Sequence, residues 1–106
     1  MNENAIILEI VNKVVDSYQP EKVLLFGSYA TGNETSDSDV DLIIVKDTKT
    51  PRHKRGREVR KYLFGTLIPI DLKVYTPDEF EKEKDLQYSF INSVINECIT
   101  LYERKN

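Results

Sequence analysis

Two carboxylates follow a glycine-serine turn at a spacing that favours metal and phosphate chemistry. Gly27 and Ser28 end the apolar segment 24–26, and Asp39 and Asp41 stand at the start of a second apolar segment. Because residues i and i+2 of a strand project from the same face, Asp39 and Asp41 are predicted to lie side by side. Two adjacent carboxylates repel each other unless a cation lies between them, and Mg²⁺ binds carboxylate oxygens together with substrate phosphates. The pattern therefore predicts a magnesium and phosphate site.

A third carboxylate, Asp71, lies within a later predicted strand. Two sets of residues alternate along it: Ile70, Leu72 and Val74 on one side, and Asp71, Lys73 and Tyr75 on the other. Taken alone, Asp71 is more typical of an edge-strand charge that faces solvent. Beside Asp39 and Asp41, it could complete a site for two metal ions, one of which would activate an attacking hydroxyl. Asp71 would then be the general base.

The remaining pattern predicts the elements that hold these residues. Helices are predicted at 5–18, 52–64 and 86–102, strands at 23–26, 40–45 and 68–75, and a short helix within 27–32. A further helix is predicted to begin at Pro77, with Thr76 as its N-cap and Glu79 completing a capping box. The order helix-strand-helix-strand-helix-strand-helix indicates an α/β domain in which helices pack on a three-stranded sheet, with room for a short edge strand.

Length and composition limit the class of protein. The 106 residues, of which 40% are hydrophobic, predict one compact domain spanning 1–106. No apolar run approaches the length of a membrane span, and the N-terminus lacks the basic start of a secretory signal, so a cytoplasmic location is expected. The single cysteine, Cys98, cannot form an internal disulfide and is interpreted as a small core residue.

The charge is unevenly distributed along the chain. The net charge is −3, but residues 46–61 contain eight Lys or Arg and two acidic residues, so the rest of the chain carries −9. A general DNA-binding protein is not expected from this balance. The basic segment is either a patch that faces an anion or a solvated helix face, and the second interpretation is favoured. Its one histidine, His53, is insufficient for a zinc site.

Four features together resemble a known group of proteins: Gly27-Ser28, ten intervening residues, Asp39-x-Asp41, and the later strand residue Asp71. They resemble the DNA polymerase β-like nucleotidyltransferase superfamily. The length and the tail 95–103 are similar to its smallest members, the minimal nucleotidyltransferases (MNT), which are often antitoxin partners of HEPN toxins. The resemblance covers roughly residues 5–103, and it implies an α+β fold with a small mixed sheet of three or four strands.

The resemblance also implies roles for single residues. Asp39, Asp41 and Asp71 would be catalytic and would hold two Mg²⁺ ions, while Gly27 and Ser28 would bind the triphosphate of ATP or another nucleoside triphosphate. Gly27 would allow close approach of the backbone, and Ser28 would donate hydrogen bonds to a phosphate. The chain departs from the family in one place, because many relatives carry arginine where this sequence has Thr31.

The function implied is transfer of a nucleoside monophosphate, expected to be AMP from ATP, to a hydroxyl acceptor. The expected acceptor is a tyrosine of a HEPN-type RNase toxin, which would make the chain a type VII-like antitoxin. The domain looks too small to enclose a whole substrate, so the acceptor is expected on another protein or a second copy. Two alternatives stay open: a non-catalytic antitoxin that occludes a helical partner, and the catalytic subunit of a two-chain small-molecule nucleotidyltransferase.

Overall fold

A computed structural model describes residues 3–66 and 68–105, so Met1, Asn2, Leu67 and Asn106 of the predicted domain lie outside the described residues. The helices are α1 (Glu3–Tyr18), α2 (Ser28–Thr31), α3 (Arg52–Arg60), α4 (Pro77–Lys84) and α5 (Phe90–Val94). The strands are β1 (Lys22–Phe26), β2 (Val40–Val45), β3 (Ile70–Tyr75) and β4 (Ile99–Glu103). Two 3-10 turns, Lys61–Leu63 and Ile95–Glu97, follow α3 and α5.

The four strands form one mixed sheet in the order β3-β2-β1-β4. β1 is antiparallel to both β2 and β4, whereas β2 and β3 are parallel. The C-terminal end of β1 therefore lies at the same end of the sheet as the beginnings of β2 and β3. This end, which carries Gly27, Asp41 and Asp71, is called the carboxylate end below. The predicted mixed α+β fold is confirmed.

Each face of the sheet is covered by its own helices. On the face called the α1 face, α1 and α3 pack against alternate strand residues, among them Leu25, Leu42 and Val74. On the opposite face, called the α4 face, Phe80 of α4 and Ile91 of α5 pack against the other strand residues, among them Leu24, Ile43 and Tyr75. This alternation follows from the two-residue period of a strand, and it fixes which face each carboxylate of β2 and β3 occupies.

A buried arginine joins α3, β3 and α4. The Arg55 side chain, which is 7% exposed, donates from Nη1 to Oε1 of Glu79 at 2.6 Å and from Nε to the carbonyl oxygen of Thr50 at 2.7 Å. Arg52 adds a second bond, from Nη2 to Oε2 of Glu83 at 2.7 Å. Part of the predicted solvated basic face is thus structural, because two of its arginines bind the acidic side chains of α4.

The capping box predicted at the start of α4 is present. The Thr76 hydroxyl accepts from the N–H of Glu79 at 3.2 Å, and the N–H of Thr76 donates to the Glu79 carboxylate at 2.9 Å. Glu79 therefore caps α4 and binds Arg55 at the same time. Burial raises the pKa of the Glu79 carboxyl. The hydrogen bonds from Arg55 and the Thr76 amide, together with the charges of Arg52 and Arg55, outweigh this effect and lower the pKa to about 2.

The single helix predicted at 86–102 is wrong. The chain forms the short helix α5, a 3-10 turn and then the edge strand β4, which pairs with β1. The helical spacing holds as far as Cys98, because Val94, Ile95 and Cys98 pack on the α4 face. Leu101 and Tyr102 instead pack on the α1 face, which no continuous helix could reach. The β-branched Ile99 and Thr100 favour the strand, and pairing with β1 satisfies its backbone.

Two predicted boundaries also shift. The helix predicted at 52–64 is α-helical only to Arg60, and the following 3-10 turn ends at Leu63. Phe64 lies in a turn after the 3-10 segment, and Gly65 adopts a left-handed conformation with φ +88°. The strand predicted from Ile68 pairs only from Ile70 onward. Both shifts shorten elements at their ends, where the pattern of apolar residues is least informative.

Candidate functional site

Asp41 and Asp71 lie directly opposite each other on neighbouring strands. The parallel register of β2 and β3 pairs Asp41 with Asp71 and Leu42 with Leu72. Since the leucines face α1, both aspartates project from the α4 face. Neighbouring strands are about 4.8 Å apart, which places the two carboxyl groups within reach of one cation. The sheet therefore brings together two carboxylates that are 30 residues apart in the sequence.

Asp39 lies just before β2 and is exposed, whereas Asp41 and Asp71 are half-buried. The pKa of Asp41 is raised, first by its burial and then by the negative charges of Asp71 and Asp39, while the nearby Lys73 ammonium opposes the shift. The three carboxylates predicted from the sequence are thus close enough to act on one another. Their mutual repulsion would be relieved by a cation among them.

The donor set fits a hard divalent cation, although the side chains do not yet surround a common point. Among the residues that the structure describes, no group of three His, Cys, Asp or Glu side chains is already arranged as a metal site. The paired strands fix the backbone positions of Asp41 and Asp71, and Asp39 immediately precedes β2. Carboxylate oxygens are ligands that Mg²⁺ prefers, and a bound cation would offset the burial and the repulsion from Asp71 and Asp39 that raise the pKa of Asp41.

Gly27 packs against Asp41 where β1 ends. Its backbone has φ +76° and ψ −156°, a region that residues with a Cβ almost never occupy. A Cβ built on Gly27 would overlap Oδ2 of Asp41 and lie 3.0 Å from its Cγ. Two physical requirements therefore favour glycine at this position: the turn needs its backbone freedom, and the Asp41 carboxylate occupies the space that a side chain would fill. The turn and the carboxylates are parts of one site.

The turn continues into α2, a single helical turn. The N–H groups of Ala30 and Thr31 donate to the carbonyl oxygen of Gly27 at 3.0 and 3.2 Å, so those of Ser28 and Tyr29, at the start of the helix, have no intrahelical acceptor. The Ser28 hydroxyl and these N–H groups could therefore bind phosphate oxygens. Thr31 is exposed and its hydroxyl lies 3.4 Å from the carbonyl oxygens of Gly27 and Ser28, so it bonds to the turn itself.

One wall of the site was not predicted as functional from the sequence. The Phe90 ring packs edge-to-face on Phe26, with centroids 5.3 Å apart, and Phe26 is the residue directly opposite Asp41. The Lys73 ammonium lies over the Phe90 ring at 5.0 Å. Lys73 comes two residues after Asp71 on the same strand, and this spacing could have indicated that the lysine lies near the site. Nothing in the sequence pattern brings Phe90 to this place.

The other predicted residues lie outside this cluster. His53 is exposed on α3. Cys98 is half-buried, and its burial, followed by the charge of Glu97, raises the pKa of its thiol, so it packs as an apolar residue. Across residues 3–66 and 68–105, no helix combines the length and the apolar character that crossing a membrane requires.

Comparisons with known proteins agree with this geometry. The nucleotidyltransferase domain family matches residues 7–105. A protein of Methanocaldococcus jannaschii named "Putative protein adenylyltransferase MJ0604" is 47% identical over 104 residues, covering 96% of this chain and 100% of that protein.

Two solved structures share the fold. A "putative nucleotidyltransferase" from Sulfolobus solfataricus superimposes with a TM-score of 0.66 at 23% identity, covering 94% of this chain and 79% of that one. A mutant of the toxin-antitoxin MntA-HpeT superimposes with a TM-score of 0.58 at 17% identity, covering 99% and 76%. The family match over residues 7–105 and the Methanocaldococcus jannaschii relative, which covers 96% of this chain, confirm the family that the glycine-serine turn and the aspartates predict. This chain belongs to the nucleotidyltransferase domain family, among its minimal members.

Proposed function

We propose that this nucleotidyltransferase moves AMP from ATP to a hydroxyl group of a protein, using Mg²⁺ held by Asp39, Asp41 and Asp71. The observation that carries the proposal is the register of β2 and β3, which sets Asp41 opposite Asp71 beside the Gly27 turn. A phosphate-binding turn next to three carboxylates is the donor set that nucleotide and metal require together.

Each residue of the site has its own role in the proposed reaction. The backbone of Gly27 and the hydroxyl and N–H of Ser28 hold the outer phosphates, while Asp39 and Asp41 face the α-phosphate. Mg²⁺ bound there would neutralise charge on the phosphates and lower the pKa of the acceptor hydroxyl. Asp71 lies on the far side of Asp41 from Gly27, which suits a group that holds and orients the acceptor hydroxyl.

The proposed transfer breaks one bond and forms one. The acceptor oxygen attacks the α-phosphorus, the bond from that phosphorus to the oxygen bridging to the β-phosphorus breaks, and pyrophosphate leaves with that electron pair. The proton of the acceptor hydroxyl passes to a carboxylate oxygen of Asp71. The products are the AMP-modified acceptor and pyrophosphate, so the reaction requires no oxidant or further reactant.

The acceptor that we propose is a tyrosine of a HEPN-type RNase toxin, whose modification would block the toxin. The long homologue is named as an adenylyltransferase of proteins, and one structural neighbour comes from a toxin-antitoxin pair. Both support a protein acceptor over a small molecule. The resemblance of the sequence to minimal nucleotidyltransferases that partner HEPN toxins supports the choice of partner and of tyrosine.

A non-catalytic antitoxin is the second candidate, and Thr31 favours it. This exposed residue adds no positive charge to the phosphate turn and bonds to the turn's own carbonyl oxygens. A weaker nucleotide site would be consistent with a protein that acts by occluding its partner. The presence of three mutually close carboxylates favours the enzyme.

The position of a radioactive label distinguishes the proposals. The chain would be incubated with its HEPN partner, Mg²⁺, and ATP labelled at either the α- or the γ-phosphate. The proposed transfer labels the partner from α-labelled ATP alone. Label from γ-labelled ATP would indicate a kinase and contradict the proposal. No label from either, with the partner still bound, would support the occluding antitoxin.

A further inference from the structure

Lys73 brings a positive charge to the face of the sheet that carries Asp41 and Asp71. It lies two residues after Asp71 on β3, so both side chains project toward the same side. Between residues that the structure describes, Lys73 makes no ion pair with a carboxylate. Its ammonium instead lies over the ring of Phe90, 5.0 Å from the ring centroid. The lysine is held near the carboxylates without being neutralised by direct contact.

Phe90 is fixed in a place from which it can hold this ammonium. It is the first residue of α5, and its ring packs against Phe26 with an interplanar angle of 78°. Ser89 caps α5 by accepting from the N–H of Asn92 at 3.0 Å, and its hydroxyl donates to the carbonyl oxygen of Glu83. A cation over an aromatic ring gains about 0.5–2 kcal/mol, depending on its exposure. Phe90 is 36% exposed, so it is not sealed within the core.

The order of the strands indicates which part of a nucleotide would meet Lys73. The Gly27–Ser28 turn follows β1, Asp41 lies on the central strand β2, and Lys73 lies on β3. A triphosphate whose outer phosphates contact the turn must cross the Asp41 position before reaching β3. In that direction the α-phosphate would come nearer to Lys73 than the outer phosphates do, and negative charge develops on it during transfer. A fixed cation aimed at such a position is an effective form of electrostatic stabilisation.

We propose that Lys73 binds the α-phosphate of the nucleotide and that Phe90 positions its ammonium for that contact. The inference rests on the proposed nucleotide site and adds two residues to it. Lys73 touches the substrate, whereas Phe90 acts only through Lys73. Lys73 projects from the same face of β3 as Asp71, and the Phe90 ring under its ammonium packs on Phe26, directly opposite Asp41, so the ammonium lies beside the proposed metal-binding position.

Binding of two phosphate ligands tests this assignment. The probes are α,β-methylene-ATP, which cannot transfer its α-phosphoryl group, and pyrophosphate, which lacks an α-phosphate and nucleoside; both are titrated calorimetrically with Mg²⁺. Lys73→Met should weaken binding of the ATP analogue about tenfold, since hydrogen bonds to charged groups contribute roughly 1.5 kcal/mol or more. Pyrophosphate binding should stay within about twofold of the unmodified chain, and Lys73→Arg should restore most of the loss.

Matched variants separate this role from a general effect of charge or packing. Lys49→Met removes a positive charge from the exposed connection at the opposite end of the sheet, and it should leave both affinities unchanged. Phe90→Leu should weaken binding of the ATP analogue about threefold in the unmodified chain but have no effect when Lys73 is already Met. That loss of additivity would be absent if Phe90 acted merely on folding or contacted the nucleotide itself.

Each result has a definite meaning. Equal loss of both ligands in Lys73→Met, or no loss of either, overturns the assignment of Lys73 while leaving the nucleotide site in place. Additive effects of Phe90→Leu and Lys73→Met overturn the positioning role of Phe90. Failure of the unmodified chain to bind the ATP analogue with Mg²⁺ overturns the proposed function itself, and this inference with it.

Discussion

At the scale of single residues, Gly27 determines whether the turn after β1 and the Asp41 side chain can pack together. A methyl group there would overlap the Asp41 carboxylate, and the φ of +76° with ψ of −156° is strained for any other residue. We predict that Gly27→Ala lowers the unfolding free energy by about 1–3 kcal/mol and displaces Asp41. Affinity for Mg²⁺-ATP should fall at least tenfold, as isothermal titration calorimetry would measure.

Gly56 provides the matched control for that substitution. It lies within α3, and a Cβ built on it meets no atom within 4 Å. Alanine is favoured over glycine in a helix interior by about 1 kcal/mol, so Gly56→Ala should stabilise the fold and leave nucleotide affinity unchanged. A Gly27→Ala variant that binds nucleotide as well as Gly56→Ala would contradict the close packing of the turn on Asp41.

Thr31 is the residue at which this chain departs from many relatives. Its exposed side chain is at the end of α2, next to the proposed phosphate site. We predict that Thr31→Arg raises the affinity for Mg²⁺-ATP about fivefold, because a charged hydrogen bond to phosphate is worth roughly 1 kcal/mol or more. Thr100→Arg, an exposed substitution on the edge strand β4, should have no such effect. Equal affinities of the two variants would place Thr31 outside the phosphate site.

At the scale of elements, Arg55 holds α3 and α4 to β3. It binds Glu79 and the carbonyl oxygens of Thr50 and, on β3, of Val74, and its side chain is almost fully buried. We predict that Arg55→Met lowers the unfolding free energy by about 3 kcal/mol, because it leaves the partly buried Glu79 without its main partner. Arg57→Met, on the exposed side of the same helix, should change stability by less than about 0.5 kcal/mol. Urea denaturation of both variants measures the difference.

The same ion pair makes stability depend on pH in acid. The pKa of Glu79 is about 2 in the folded state, against 4.5 for the ordinary carboxyl. Since the folded pKa is lowered, the stabilisation is fully present above pH 4.5 and is lost as the pH falls toward 2. Denaturation between these pH values should show a smaller loss of stability in Glu79→Gln than in the unmodified chain. Parallel curves for the two proteins would show that Glu79 does not carry this dependence.

The sequence was informative about elements whose apolar pattern had one clear period. The apolar run 40–45 predicted one strand, the alternation in 70–75 predicted another and the face of Asp71, and the Thr76 capping box predicted the start of α4. The prediction of one helix at 86–102 was wrong, because the apolar residues of this segment have helical spacing but pack on two different faces of the sheet. Such a change of face depends on pairing with β1, a contact between distant parts of the chain.

At the scale of the whole molecule, the sheet brings together residues that no local pattern connects. The sequence alone could indicate that Gly27, Ser28, Asp39 and Asp41 belong to one site, because these residues flank one pair of strands. Their catalytic roles stay predictions. The wall formed by Phe90 and Lys73 could not be predicted, since it depends on α5 crossing the α4 face to reach Phe26. Long-range packing of this kind is set by the complete core.

The central claim is transfer of AMP at the carboxylate end, and the intact mass of a HEPN-type partner tests it directly. The partner would be incubated with ATP, Mg²⁺ and the unmodified chain, the Asp41→Asn variant, or Asp37→Asn, which alters an exposed loop carboxylate instead. We predict a mass increase by whole AMP units with the unmodified chain and Asp37→Asn, and none with Asp41→Asn. A partner that binds the unmodified chain but gains no mass, or that gains it equally with Asp41→Asn, would contradict the account.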